Sequence, residues 1–203
     1  GPQKVKAEAA RLVETAEFGK VMLLDGITQV AEKNEYLYHE PMVHPALLSH
    51  PDPQAVCVIG GGDGGIMREV LKHQPARAVQ CELDGGVIEL ARRELTGINR
   101  GCFDDPRVEL QIGDGRAFIN QHQAEFDAVI MDMTDPFGPS TMLYTEEYYQ
   151  AVKASLRDEH GLFVMHAESP ISRPKAYQQI LHTLSRVWDY QHVFYLYIQM
   201  YAT

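Results

Sequence analysis

A chain of 203 residues with 45% apolar content can bury one sizeable core, so one main domain with at most a small appendage is expected. No apolar run approaches membrane-spanning length and no signal-peptide pattern opens the chain, which suggests a cytoplasmic protein that engages no membrane. A formal charge of −10 argues against nucleic acid as a partner and suits a cationic substrate.

Gly1-Pro2 reads as the scar of a protease cleavage. From Ala10 to Ala31 come short apolar runs, Leu12-Val13, Val21 to Leu24 and Ile27 to Val30, punctuated by Gly19 and by Asp25-Gly26. These are hairpin signals, so residues 1–33 are expected to form a small antiparallel β unit, truncated at its start, with the main domain over 34–203. Asn34 to His50 then reads as a helical connection, bent or interrupted at Pro41 and Pro45. His39 and His44 are five apart and share no helix face, and no further ligand falls at metal spacing near them, so no metal site is expected.

The stretch that organises the rest follows. Val56-Cys57-Val58-Ile59 is apolar and β-branched; it breaks into Gly60-Gly61-Gly62-Asp63-Gly64-Gly65 and resumes as a helical pattern with Ile66, Val70 and Leu71 on one side. Gly60, Gly62 and Gly65 fit the G-x-G-x-x-G spacing, in which missing Cβ atoms let a ligand approach the backbone and the helix pack on the strand. Glu82 ends a second strand, Ala78 to Cys81, about 20 residues on, where a carboxylate can accept both hydroxyls of a ribose. A nucleoside-bearing ligand is the working hypothesis. Asp63 places a negative charge where a dinucleotide enzyme receives a pyrophosphate. A like charge about 5 Å away costs roughly 3 kcal/mol at an effective dielectric near 20, a factor above a hundred in binding, so a cationic guest fits better. The alternative is that Asp63 only caps the helix starting at Gly64.

After this loop the chain alternates. Strands are predicted over Arg77 to Glu82, Arg107 to Ile112, Phe126 to Asp132, Leu162 to His166 and Val193 to Ile198. Helices are predicted over Gly86 to Leu95, Arg116 to Gln121, Glu146 to Leu156 and Lys175 to Val187. Such alternation means an α/β, Rossmann-like, mostly parallel sheet with helices on both faces, whose ligands gather at the carboxyl ends of the strands. Asp63, Glu82, Asp114 and Asp132 fall there in turn. Cys57 and Cys81 lie on buried strands and Cys102 in a connection, a scatter that makes neither a disulfide frame nor a metal site.

Asp114, in Gly113-Asp114-Gly115, can accept from an exocyclic amine such as that of adenine, or can simply cap the next helix. Asp132 and Asp135, three apart across a turn stiffened by Pro136 and Pro139, can bind an ammonium and take its proton, although a solvated turn has a similar composition. Gly138 and the prolines make this segment a semi-rigid lid. The chain stops soon after the aromatic run Val193 to Ile198, with nothing to close that edge, so the carboxyl end is expected to be truncated too.

Taken together, Leu24-Asp25-Gly26, Glu35 to Glu40, His44-Pro45, the glycine loop with Arg68-Glu69, Glu82-Leu83-Asp84, Gly113-Asp114-Gly115 and Asp132-x-x-Asp135-Pro136-x-Gly138-Pro139 resemble the spermidine synthase (polyamine aminopropyltransferase) family, from about Phe18 to Tyr149. The resemblance implies a class I methyltransferase-type fold that takes decarboxylated S-adenosylmethionine as co-substrate and has no prosthetic group. The nucleoside would lie over Gly60 and Gly62, with Glu82 and Gln29 at the ribose, Asp114 and Gly115 at adenine and Asp63 at the aminopropyl ammonium. Asp132, helped by Tyr38, would deprotonate the acceptor amine. Tyr38, His39, Asp63, Asp132, Asp135, His166 and Tyr201 would line the substrate pocket, and the assembly would be a homodimer or homotetramer. This chain has Asn34-Glu35-Tyr36 where the family commonly shows Asp-Glu-Phe, and His166 where many members carry glutamine; these departures leave the acceptor's identity open, and putrescine is a default rather than a deduction. A methyltransferase on the same fold and a non-catalytic polyamine or nucleoside binder are the alternatives; turnover separates the last, and Asp63, which repels the carboxylate of an intact methyl donor, separates the first.

Overall fold

The computed structural model describes residues 10–24, 26–133 and 142–198. Strands β1 (Ala10–Thr15), β2 (Gly19–Leu24) and β3 (Ile27–Ala31) pair in that order as an antiparallel three-stranded sheet, as the hairpin signals predict. Met22 and Val30 from this sheet are buried in the same apolar cluster as Val56 and Val58, so the small sheet packs on the main core.

Helix α1 (Tyr36–Ser49) departs from expectation, for it runs unbroken through Pro41 and Pro45. Each proline removes one N–H, which leaves the carbonyls of Leu37 and Pro41 without their usual intrahelical donor. Burial of His39, Met42, Val43 and Leu47 offsets that loss, so tertiary packing overrides the local preference.

The main sheet has β4 (Ala55–Gly60) at its centre, with β5 (Arg77–Glu82), β6 (Val108–Ile112), β7 (Ala128–Asp132) and β8 (Leu162–Met165) around it in the order β6-β5-β4-β7-β8, every pairing parallel. Between them lie α2 (Gly65–Leu71), α3 (Gly85–Glu94), α4 (Thr96–Asn99), α5 (Gly115–Asn120) and α6 (Glu146–Ser155), followed by α7 (Pro174–Ser185). Side chains of a strand alternate between faces, and the core divides accordingly. Val56, Val58, Ala128 and Ile130 join one cluster with α1 to α4, whereas Cys57, Ile59, Val129 and Met131 join the other with α5 to α7. Strand order reverses between β4 and β7, and the crevice above that point is where such sheets receive ligands. All three cysteines are buried and free.

The final strand expected over Val193 to Ile198 does not form. A strand needs a ladder partner, and among the described residues none pairs with it; Phe194, Tyr195 and Tyr197 are exposed. Phe126, predicted to open β7, instead makes an isolated bridge to Leu156 ahead of the ladder.

Candidate active site

The predicted acids stand at successive strand ends: Asp63 after β4, Glu82 closing β5, Asp114 after β6 and Asp132 closing β7. The glycine loop that joins β4 to α2 is shaped by contacts within the protein. Gly60 has φ +83°, and a Cβ there would lie 2.0 Å from the Asp132 carbonyl oxygen. A Cβ on Gly65 would lie 2.1 Å from the His39 ring. The missing Cβ atoms at both positions therefore admit neighbouring protein, and at Gly65 that neighbour is α1 rather than the strand. The Gln80 amide, buried on β5, donates to the carbonyls of Gly60 (2.9 Å) and Gly61 (2.7 Å) and pins the loop. Sequence reasoning missed it, although a glutamine inside an apolar strand was the available signal.

Asp63 makes the helix-start contact weighed for it and also faces a charged partner within the protein. Its Oδ1 accepts from Gly65 N–H at 2.6 Å, the first residue of α2, while its Oδ2 lies 3.4 Å from His39 Nε2. Behind the ring, His39 Nδ1 is 2.5 Å from Glu35 Oε2. Burial alone would depress His39, but Asp63, Glu35 and Asp132 outweigh it and raise its pKa to about 10, so the ring is an imidazolium. Burial likewise works against Glu35, yet His39 and Arg68 hold it at about 2. Asp63 is lowered in spite of its burial, chiefly by His39. Asp63 is thus one half of an ion pair, which weakens its repulsion of a carboxylate relative to the lone charge supposed from sequence.

Asp132 has the opposite environment. Burial and the Asp63 charge push its pKa up, against the opposing effects of His39, Tyr38 and His166. The Tyr38 hydroxyl donates to Asp132 Oδ1 at 2.8 Å, which joins α1 to the end of β7. His166 Nε2 donates to the Met133 carbonyl at 2.7 Å and lies 3.0 Å from the Tyr144 hydroxyl, so the ring braces the residue after Asp132.

Glu82 accepts from Asp84 N–H at 3.0 Å, and burial raises its pKa to about 7, with the Asp132 charge adding to the rise. Its other oxygen faces Gly62. Asp114 is exposed and caps α5, its Oδ1 accepting from Arg116 N–H (2.8 Å) and Ala117 N–H (3.4 Å), the capping alternative raised from sequence. Gly115 opens that helix against Ile59. Gln29 lies on β3, where its amide donates to the Ile27 carbonyl at 3.2 Å. Asp135, Tyr201 and the expected lid at Pro136 to Pro139 lie outside the described residues. Among the described residues no group of three or more His, Cys, Asp or Glu side chains is arranged to hold a metal ion, and no helix is long and apolar enough to cross a membrane.

Asp63 paired with His39, Asp132 bonded to Tyr38 and Glu82 facing the glycine loop thus stand at the ends of three adjacent strands, β4, β7 and β5. The chain is similar to the polyamine aminopropyltransferase of Nitrosomonas europaea, 40% identical over 193 residues, which is 95% of this chain and 59% of that protein. It is also similar to the polyamine aminopropyltransferase of a Thermoanaerobacter species, 42% identical over 187 residues, 92% of this chain and 65% of that one. Among solved structures, a spermidine synthase in complex with the transition-state analogue AdoDATO superposes with a TM-score of 0.87 at 40% identity, covering 91% of this chain and 63% of that chain. The spermidine synthase from Thermotoga maritima gives 0.84 at 41% identity, covering 89% and 61%. The chain therefore spans less than two thirds of the length of each of these relatives. The family model described as the spermine/spermidine synthase domain matches residues 35–203, and the chain belongs to that family.

Proposed function

We propose that the protein transfers the aminopropyl group of decarboxylated S-adenosylmethionine to an amine acceptor, putrescine by default, giving spermidine or a related polyamine and methylthioadenosine. The observation that carries this reading is the Tyr38–Asp132 hydrogen bond beside the buried Asp63, which sets a proton acceptor next to a cation anchor. Glu82, with Gln29, takes the ribose hydroxyls, and Asp114 with Gly115 borders adenine. Asp63 holds the ammonium of the aminopropyl chain. The acceptor amine, held by Asp135, His166 and Tyr201, gives a proton to Asp132 as its nitrogen attacks the carbon next to the sulfonium; His39, whose two ring nitrogens face Glu35 and Asp63, stands behind Asp63 and does not hold the amine. That carbon–sulfur bond breaks with its electron pair going to sulfur, so the nucleoside leaves as a neutral thioether. The sulfonium is already a good leaving group, and alignment and desolvation of the amine supply most of the acceleration. The complex of a spermidine synthase with AdoDATO supports the nucleoside assignment, since that relative matches the fold closely. A homodimer or homotetramer in the cytoplasm is the assembly and setting that the resemblance suggests.

The test is to mix the protein with decarboxylated or intact S-adenosylmethionine and a panel of amines and to follow methylthioadenosine release. Release that requires both the decarboxylated nucleoside and an amine is expected. Methyl transfer from the intact nucleoside would overturn the reading.

A further inference from the structure

A continuous line of paired polar groups runs from the outer side of α1 and α2 to Asp63. His73 Nε2 lies 2.8 Å from His44 Nδ1, and His44 Nε2 lies 2.9 Å from Glu69 Oε2. Arg68 Nε donates to Glu69 Oε1 at 2.6 Å, while its Nη1 and Nη2 grip Glu35 Oε1 and Oε2 at 2.8 and 2.9 Å. Glu35 meets His39, and His39 meets Asp63, at the distances given above. Glu35, His39, Asp63, Arg68 and Glu69 are all at most 8% exposed. Buried ion pairs are weak stabilisers, since apolar residues of like volume often serve as well, so the line calls for a purpose other than stability. Its inner end is the carboxylate proposed to receive the donor.

We propose that Glu35, clamped by Arg68, is a positioning residue for the nucleoside donor: it holds the His39 ring so that the far N–H fixes the Asp63 carboxylate against which the donor's ammonium binds. This rests on the proposed function. The clamp is bidentate and further anchored, since Arg68 Nη1 also donates to the Ile98 carbonyl at 2.7 Å. An imidazolium has two N–H donors and no lone pair, so a ring with a carboxylate at each nitrogen has no alternative tautomer. The absent side chain of Gly65 gives it room. The titratable groups facing His39 are Glu35 and Asp63 directly, Asp132 beyond them, and Tyr38, whose ring centroid is 5.6 Å away. Cys102 sits behind Asp63, and Arg68 behind Glu35. The imidazolium carries the same sign as the ammonium, so it does not attract the donor. What it supplies is the orientation of Asp63.

The experiment compares the unaltered chain with Glu35→Gln and Glu35→Asp. Nitrogen-15 NMR of His39 should show both ring nitrogens protonated at about pH 8 in the unaltered chain; a neutral ring there overturns the proposal without any variant being needed. In Glu35→Gln the ring should titrate between about pH 7 and about pH 9, and the donor KM should rise roughly tenfold across that range, the scale of one charge-assisted hydrogen bond, with kcat little changed. Glu35→Asp, which keeps the charge, should restore a flat profile. Donor binding that tightens as the ring of Glu35→Gln loses its proton would mean that charge rather than orientation is what His39 contributes, and a KM profile identical in all three chains would also refute the role. An unaltered chain that binds no decarboxylated nucleoside refutes the proposed function and the donor role together, while the ring titration still decides whether Glu35 holds His39 charged.

Discussion

Binding of the nucleoside should release a proton from Glu82. In the free protein burial holds this carboxyl at about 7 against an ordinary 4.5, so near pH 7 it is about half protonated. A ribose donating its hydroxyls stabilises only the ionised form and returns the pKa toward its ordinary value. That gap corresponds to about 3 kcal/mol at 1.36 kcal/mol per pH unit, and linkage makes affinity fall about tenfold per pH unit below 7. Between about pH 8 and about pH 5.5 the dissociation constant should therefore rise roughly thirtyfold. Methylthioadenosine is the ligand to use, because it carries ribose and adenine but no ammonium and leaves Asp63 and Asp132 unengaged. Calorimetry at about pH 6 in two buffers of different ionisation enthalpy should report close to one proton released, and Glu82→Gln should release none. A dissociation constant that is flat across this range would refute the reasoning. The same raised pKa has a second consequence of definite sign: the folded chain binds the proton more tightly than the unfolded one between about 4.5 and about 7, so this residue's contribution to stability falls as pH rises through that window.

Other outcomes follow from the geometry. Asp132→Asn should lower kcat roughly a hundredfold or more with methylthioadenosine binding retained, the scale of losing a general base. Tyr38→Phe removes a hydrogen bond that favours ionised Asp132, so the acidic limb of the kcat/KM profile should move to higher pH; an unmoved limb would show that the 2.8 Å contact has no part in the chemistry. Asp63→Asn should narrow the preference for the decarboxylated over the intact nucleoside, but by about tenfold rather than a hundredfold, because His39 already offsets part of the charge; competition binding of the two nucleosides measures it. Gly65→Ala should lower stability by about 1–3 kcal/mol in thermal or urea unfolding, since its Cβ would collide with a ring that cannot move without breaking two ion pairs.

What was legible in the sequence had a local cause. The hairpins over Ala10 to Ala31 and the alternation from β4 to α7 follow from periodicity and turn residues, and strand ends in a parallel sheet locate Asp63, Glu82, Asp114 and Asp132 without any coordinates. What was not legible depends on distant partners. Whether α1 survives Pro41 and Pro45 is decided by what buries Met42, Val43 and Leu47. Whether Val193 to Ile198 is a strand is decided by a neighbour, not by its own aromatic composition. The contact of Gly65 with His39 and the grip of Arg68 on Glu35 join α2 to α1 and its approach, and only the spacing of Glu35 and His39, four apart at a helix start, hinted at it.

In the proposed reaction, Asp63 and Asp132 divide their labour by environment rather than by position. Asp132 closes β7, so the sheet holds its backbone still, which suits a base. The structure supplies a stronger reason. An ammonium anchor must be ionised at every working pH, and a general base is most effective when its pKa is nearer the operating pH. Asp63 meets the first requirement because an imidazolium and a backbone N–H both favour its charged form. Asp132 meets the second because it is buried beside that charge, with the neutral Tyr38 phenol bonded to it. Exchange of these surroundings would exchange the roles, since carboxyl groups placed in environments that drive their pKa values apart are thereby assigned as acid, base or fixed charge. His39 is the element that makes the difference, for it pairs with Asp63 directly and reaches Asp132 only through space.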